Sequence, residues 1–223
     1  MKRTLEWGGL AAGAVMIIFG LVTVFMAFQG QSTVKDSLKK EYIVGTPDMT
    51  PAAIAGEAKK AGLPASIKLP TQSVAGKAID NGTRARVFAQ YMRIHTLEAT
   101  GGLTYAQMGR YQAQPTAPKS ATDGQGGTSD PKYAAVDPKT SQPIDNGRRD
   151  LWVTETALTT ALNTSYMADQ LGLFGIVVGF ALLLSGIGFA VLAVGGTLRN
   201  AEPALKVFGK RTPKAAGSIL PTA

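Results

Sequence analysis

Hydrophobic positions fall into two long unbroken runs separated by a stretch in which they are sparse and periodic. Residues 7–28, WGGLAAGAVMIIFGLVTVFMAF, carry no charge over 22 positions. Coiled as a helix, such a run is about 33 Å long, enough to cross a hydrocarbon core about 30 Å thick. A second uncharged run lies between Asp169 and Arg199 and includes LGLFGIVVGFALLLSGIGFAVLAVGG. Both exceed the length at which a buried soluble helix is the usual explanation, so two transmembrane helices are expected, over 7–28 and 171–198. The first follows Met1-Lys2-Arg3, as a signal peptide would. Its apolar stretch is about twice the usual signal core, and no A-x-A site follows, which favours an uncleaved anchor.

Between the runs the pattern predicts shorter helices. Residues 32–41 continue the first span outward. Thr50 as N-cap, Pro51 at the first helical position, and Gly62 and Pro64 as stop signals delimit a helix. Residues 63–80 read as a loop or a short extended piece. Residues 83–99 form the best helix of the segment: Val87, Tyr91, Ile94 and Glu98 follow 4-3-4 spacing, and Phe88 and Met92 widen the stripe. Thr100-Gly101-Gly102 ends it, and Thr104 with Gln107 makes a capping-box pattern. From 111 to 147 the chain is rich in Pro, Gly, Ser, Thr and Asp, the composition of a flexible surface loop. Residues 150–170 run without Pro or Gly into the second span, with Leu151, Leu158, Leu162 and Ser165 on one face. A helix over 151–198 would be about 70 Å long, its outer third placed to pack on Val87, Tyr91 and Ile94. The expected fold class is mainly α: two transmembrane helices extended outward into a small helical domain with a Pro/Gly-rich loop.

Charge orients this layout. Of 23 basic residues, seven fall in the two tails, 1–6 and 199–223, and 16 in the 142 residues between the spans, about half the density. The positive-inside rule therefore places both tails in the cytoplasm and 29–170 outside it. The net charge of +8 divides as +1, +3 and +4 along N-tail, exported segment and C-tail. The basic C-tail reads as a topology determinant touching anionic lipid. With Phe208 its only aromatic, it does not read as a nucleic-acid binder. Leu, Ile, Val and Phe make up about 15% of the exported segment, lean enough for disorder to be open.

The same counts bound the chemistry. No cysteine is present, which removes disulfides, thiol catalysis, iron–sulfur clusters and cysteine-zinc sites. One histidine, His95, excludes any site built on two imidazoles, including the non-haem iron triad. No metal site, cofactor or catalytic residue is expected. His95 with Glu98 three residues on would suit a base and its orienting carboxylate, or a half-buried histidine with a local charge partner. Gly101-Gly102 would suit an anion nest or a helix C-cap. The ligand- or partner-binding candidates are Tyr91, His95, Glu98, Gly101, Gly102, Tyr105, Tyr111 and Trp152. Neither apolar run holds an ionisable residue, which argues against proton or ion transport by this chain alone. Gly9 with Gly13, and Gly175 with Gly179, are spaced for close helix packing.

The run YMRIHTLEATGGLTYAQMGR, with RRDLWVTETALTTALNTSYMADQLGLFGIVVGFALLLSGIGFAVL and GTPDMTPAAIAGEAKKAGLP, resembles a family of uncharacterised two-pass membrane proteins of actinobacteria, from about residue 35 to 196. The resemblance implies a plasma-membrane location and an exported loop, and no activity. Some similar sequences are named as aromatic ring-opening dioxygenases, a chemistry that a single histidine does not support. The functional expectation is a non-enzymatic accessory or scaffolding subunit of a membrane or cell-envelope complex. Its partners would be membrane lipids and other membrane proteins, or further copies of itself. The alternative is an exported sensor or ligand-binding domain for an envelope lipid or glycan.

Overall fold

The computed structural model describes residues 2–195. The basic C-tail, and with it the topology argument drawn from 199–223, lies outside the described residues. The protein is mainly helical. Its α-helices are α1 (Lys2–Lys40), α2 (Pro51–Lys60), α3 (Gly82–Ala99) and α4 (Arg148–Val194). One short antiparallel pair, β1 (Tyr111–Gln112) with β2 (Gly127–Thr128), lies between α3 and α4. Helices α1 and α4 are each long and apolar enough to cross a membrane. Each runs on past its apolar stretch without a break, as expected of residues 32–41 and of 150–170, which lack Pro and Gly. The chain folds as two compact units, residues 2–27 with 174–195, and residues 28–173.

The first unit is a glycine-mediated helix pair. A methyl group built on Gly13 would stand 2.8 Å from the Gly186 carbonyl oxygen, and one on Gly186 would stand 2.7 Å from that of Gly13. Gly20 and Gly179 make the same reciprocal approach, at 2.8 and 3.0 Å. The two backbones thus touch at two points two turns apart on each helix, a heptad-like repeat. Of the four glycines expected to pack, Gly13 and Gly179 do so, and Gly175 lies over Ala27. Gly9 is half-buried. Gly20 and Gly186 complete the seam, each seven residues from its partner glycine on the same helix and so outside any GxxxG spacing. Thr23 donates its hydroxyl to the Phe19 carbonyl at 2.7 Å, so this polar side chain is satisfied by its own helix. The pair cannot cover its remaining apolar surface: Phe25 is 69% exposed and Phe174 65%.

The second unit is built around α3. Half of its 18 residues are buried, a wider face than the single stripe that the spacing predicted, because neighbours press on it from two sides. On one side α4 runs antiparallel: Gly82 lies against Tyr166 and Asp169, and Arg93 stacks on Trp152 at 5.2 Å. The buried cluster joins Val87, Tyr91 and Ile94 to Trp152 and Leu162, with Leu158 packed on it. On the other side α2 contributes Ile54 and Ala58. Helix α2 begins where expected. Thr50 caps it by accepting the Ala53 N–H at 3.2 Å, Pro51 follows, and Gly62 turns out at φ +67°.

Residues 63–80 include an extended piece that pairs through isolated bridges with the segment entering α2. Gly45 and Ile79 donate to the carbonyls of Lys77 and Ile43, at 3.0 and 2.9 Å. Residues 111–147, expected as a loop on composition, carry their own backbone pairing. Beyond β1 and β2, Tyr111 bridges Asp145, Ala113 bridges Ala134, and Val136 bridges Pro143.

Candidate functional site

His95 is placed by two packings. Its own helix is fixed by the buried Tyr91, Ile94 and Leu97, and Tyr91 donates its hydroxyl to the Gln72 carbonyl at 2.9 Å. Facing it is the start of α2 and the turn before that helix. The turn closes through Met49 N–H to the Thr46 carbonyl at 3.0 Å and presents Asp48. Two turns into α2, Glu57 lies on the stripe that Ile54 and Ala58 bury. His95 Nε2 therefore stands 3.3 Å from Asp48 Oδ2 and 3.4 Å from Glu57 Oε2.

These three groups lie within 4.8 Å of one another. The side chains are half-buried, yet Nε2 of His95 and Oε2 of Glu57 are themselves shielded from solvent and have no hydrogen-bond partner among the described residues. The Asp48 carboxyl is held below its ordinary value of 3.8. A hydrogen bond from the Thr46 hydroxyl is the main cause; burial opposes it, and the Asp48 N–H and the charge of His95 assist. The arrangement therefore offers one imidazole nitrogen and two carboxylates. The absence of a metal site was expected from the histidine count alone. That count excludes two-imidazole sites and leaves this one-imidazole, two-carboxylate set, which has the donors to hold a cation.

Glu98, proposed in sequence as the partner of His95, is exposed, and its backbone carbonyl accepts the Thr100 and Gly101 N–H groups. The partners of His95 are Asp48 and Glu57 instead. Spacing could not reveal them, since they belong to another helix and its entry turn. One local signal was present: Glu57 sits three residues from Ile54, a charge on the apolar stripe of α2.

The other candidates separate. Tyr91 is fully buried and Trp152 is 4% exposed, with its indole N–H donated to the Leu103 carbonyl at 2.9 Å. Tyr91 is a core residue, unavailable to a ligand, whereas Trp152 is anchored in the core and shows only an edge to the surface. Gly101 and Gly102, at φ +64° and +81°, donate to the carbonyls of Glu98 and Leu97 at 3.1 and 2.7 Å. This is the hydrogen-bond pattern of a Schellman C-cap, and it consumes the N–H groups that an anion would need. Tyr105 is 45% exposed, with the Arg149 guanidinium 3.9 Å over its ring. Tyr111 is half-buried and paired in β1.

Two further surface features belong to this unit. A polar cleft is lined by Thr71, Gln72, Arg86, Gln90, Tyr166 and Gln170, among others, with Arg86 stacked on Tyr166 at 4.6 Å. An open apolar groove runs along α4, lined by Tyr105, Trp152, Val153, Thr156, Ala157 and Thr160. No family model, curated protein or solved structure matches the chain.

Proposed function

We propose that the chain is a non-enzymatic, two-pass plasma-membrane protein of the actinobacterial kind its sequence resembles. It acts through binding, as an accessory or scaffolding subunit of a membrane or cell-envelope complex. Both termini lie in the cytoplasm, and residues 29–170 form an extracytoplasmic domain. The observation that carries the binding role is the groove on α4. Its floor is apolar, with Val153 57% exposed, and guanidinium groups stand on its aromatic members, Arg93 on Trp152 and Arg149 on Tyr105. An apolar floor with a cationic rim suits a protein segment that presents hydrophobic side chains flanked by carboxylates.

The test is a photo-crosslinking residue at Val153 in the native membrane. The expected result is one protein adduct of defined mass, lost when Arg93→Glu and Arg149→Glu reverse the rim. Absence of a protein adduct, or an adduct indifferent to the reversal, refutes the reading. An adduct of twice the chain's mass identifies the partner as a second copy.

A second reading, an exported ligand-binding domain for an envelope lipid or glycan, is favoured by the polar cleft around Arg86. Its amide and hydroxyl side chains match the hydrogen-bonding needs of a sugar or headgroup. Ligand-dependent protection of the Arg86 region from labelling, without any Val153 adduct, would select it.

A further inference from the structure

We propose that Asp48, Glu57 and His95 bind one divalent transition-metal cation of the zinc class, four-coordinate, with water as the fourth ligand. This goes beyond the binding role proposed above and does not depend on it. The first reason is the geometry of the gap. Ligand atoms about 2.0–2.1 Å from a tetrahedral zinc ion lie about 3.3–3.4 Å apart; Nε2 stands at 3.3 and 3.4 Å from the two carboxylate oxygens, and all three ligand atoms lie within 4.8 Å of one another. An octahedral ion such as magnesium, with bonds of the same length, brings neighbouring ligands to about 2.9 Å.

The second reason is the state of the atoms. A protonated imidazole has a single N–H at Nε2, and that hydrogen would have to serve two carboxylates. In this geometry it serves neither, since Nε2 and Glu57 Oε2 are both shielded from water and both lack a hydrogen-bond partner among the described residues. A cation needs no shared hydrogen; it accepts a lone pair from each donor at once. The donor set fits as well: an imidazole with two carboxylates is borderline in softness and suits zinc.

The surroundings complete the site. Thr46 hydrogen-bonds Asp48, in the manner of the outer partners that orient a ligating carboxylate. The side chain of Asp48 is 42% exposed, which leaves the entry path and the water position on that side. Occupancy would join the entry turn of α2, α2 itself and α3 through one ion, in a chain that has no cysteine for a disulfide.

The experiment uses the full chain in detergent, stripped by chelator and dialysed against Zn²⁺, with metal counted per chain. The expected result is one Zn²⁺ per chain, a raised thermal midpoint, and intense four-coordinate visible bands when Co²⁺ replaces it. His95→Gln and Glu57→Gln should each weaken Zn²⁺ binding at least 100-fold, and Glu98→Gln, on the exposed face of the same helix, should leave it unchanged. If His95→Gln loses helicity by circular dichroism, Glu57→Gln decides. No stoichiometric zinc, unchanged uptake in Glu57→Gln, or weak six-coordinate cobalt bands would each overturn the proposal.

Discussion

Removing the Asp123 carboxylate should unlatch residues 109–128 while leaving the helical core intact. One oxygen accepts the Gly109 N–H at 2.8 Å, and the other accepts the N–H groups of Gln125 and Gly127, also at 2.8 Å. Gly109 and Gly127 are buried, so their donors have little water to turn to. A hydrogen bond to a charged group contributes about 1.5–3 kcal/mol. Three such bonds on one half-buried carboxylate do not add in full, and we set the loss for Asp123→Ala at about 3 kcal/mol. Asp123→Asn should cost about half of that, since one oxygen still accepts while the amide nitrogen is set donor against donor at Gly109. At about 2–4 °C per kcal/mol for a chain of this size, the alanine variant should unfold about 6–12 °C earlier.

The pH dependence has a definite sign. Burial raises the Asp123 pKa, but the N–H groups of Gly109, Gly127 and Gln125 and the charge of Arg148 outweigh it, so the net shift is downward from 3.8. The unfolded chain then takes up the proton first as pH falls. The stabilisation is present above the unfolded value and is lost as pH falls through the folded one. The gap between wild type and Asp123→Asn should therefore narrow below about pH 4. Hydrogen exchange read by mass spectrometry is the direct assay. Protection should drop across 109–128 and persist in α3. Unchanged protection there, or a midpoint shift under about 2 °C for Asp123→Ala, would refute the account.

Two other substitutions test the rest of the fold. Gly186→Leu places a side chain against the Gly13 carbonyl and Ile17, where backbone cannot yield, whereas Gly188 has open space around it. Thermal unfolding in detergent should fall by at least about 2 kcal/mol for Gly186→Leu and stay near wild type for Gly188→Leu; equal effects would remove the glycine seam. Tyr91→Phe loses one hydrogen bond, to the Gln72 carbonyl, for about 1 kcal/mol. It should also abolish an alkaline loss of stability: burial raises the Tyr91 pKa above 10.0, so wild type weakens as pH rises from there through the folded value. A urea midpoint that falls equally in both proteins above pH 10 would contradict this.

What the sequence disclosed follows from the range of the interaction involved. The two apolar helices, the Thr50-Pro51 start of α2, the Schellman end of α3 at Gly101-Gly102 and the long α4 all depend on neighbours within a few residues, and each could be read from order along the chain. The anchoring of Trp152 is not legible in the same way, because its partners, Leu103 and Arg93, are distant in sequence. His95 was assigned the nearest carboxylate, Glu98. Its real neighbours depend on how α2 lies against α3, a matter of packing between Ile54, Ala58 and the buried face of α3. The glycine seam was half legible, since a motif of four finds Gly13 and Gly179 but not the seven-residue repeat that brings in Gly20 and Gly186.

The lean hydrophobic content of residues 29–170 also has a different meaning in the structure. Disorder was open because so little apolar area is available to offset chain entropy. The unit instead concentrates its few large side chains around α3 and leaves 111–147 to polar side chains that bond the backbone. Asn146 donates to the Gly109 carbonyl at 2.9 Å, Asp130 accepts from Lys132 N–H, and Asp137 from Lys139 N–H at 2.7 Å. Thr128, 1% exposed, donates to the Ala121 carbonyl at 2.7 Å. Ser, Thr, Asn and Asp compete with helices and sheets because they satisfy local backbone groups. Here that same property holds together a region with almost no regular structure. The stability of 111–147 should therefore respond to acid and to single polar substitutions more than to loss of its scattered apolar residues.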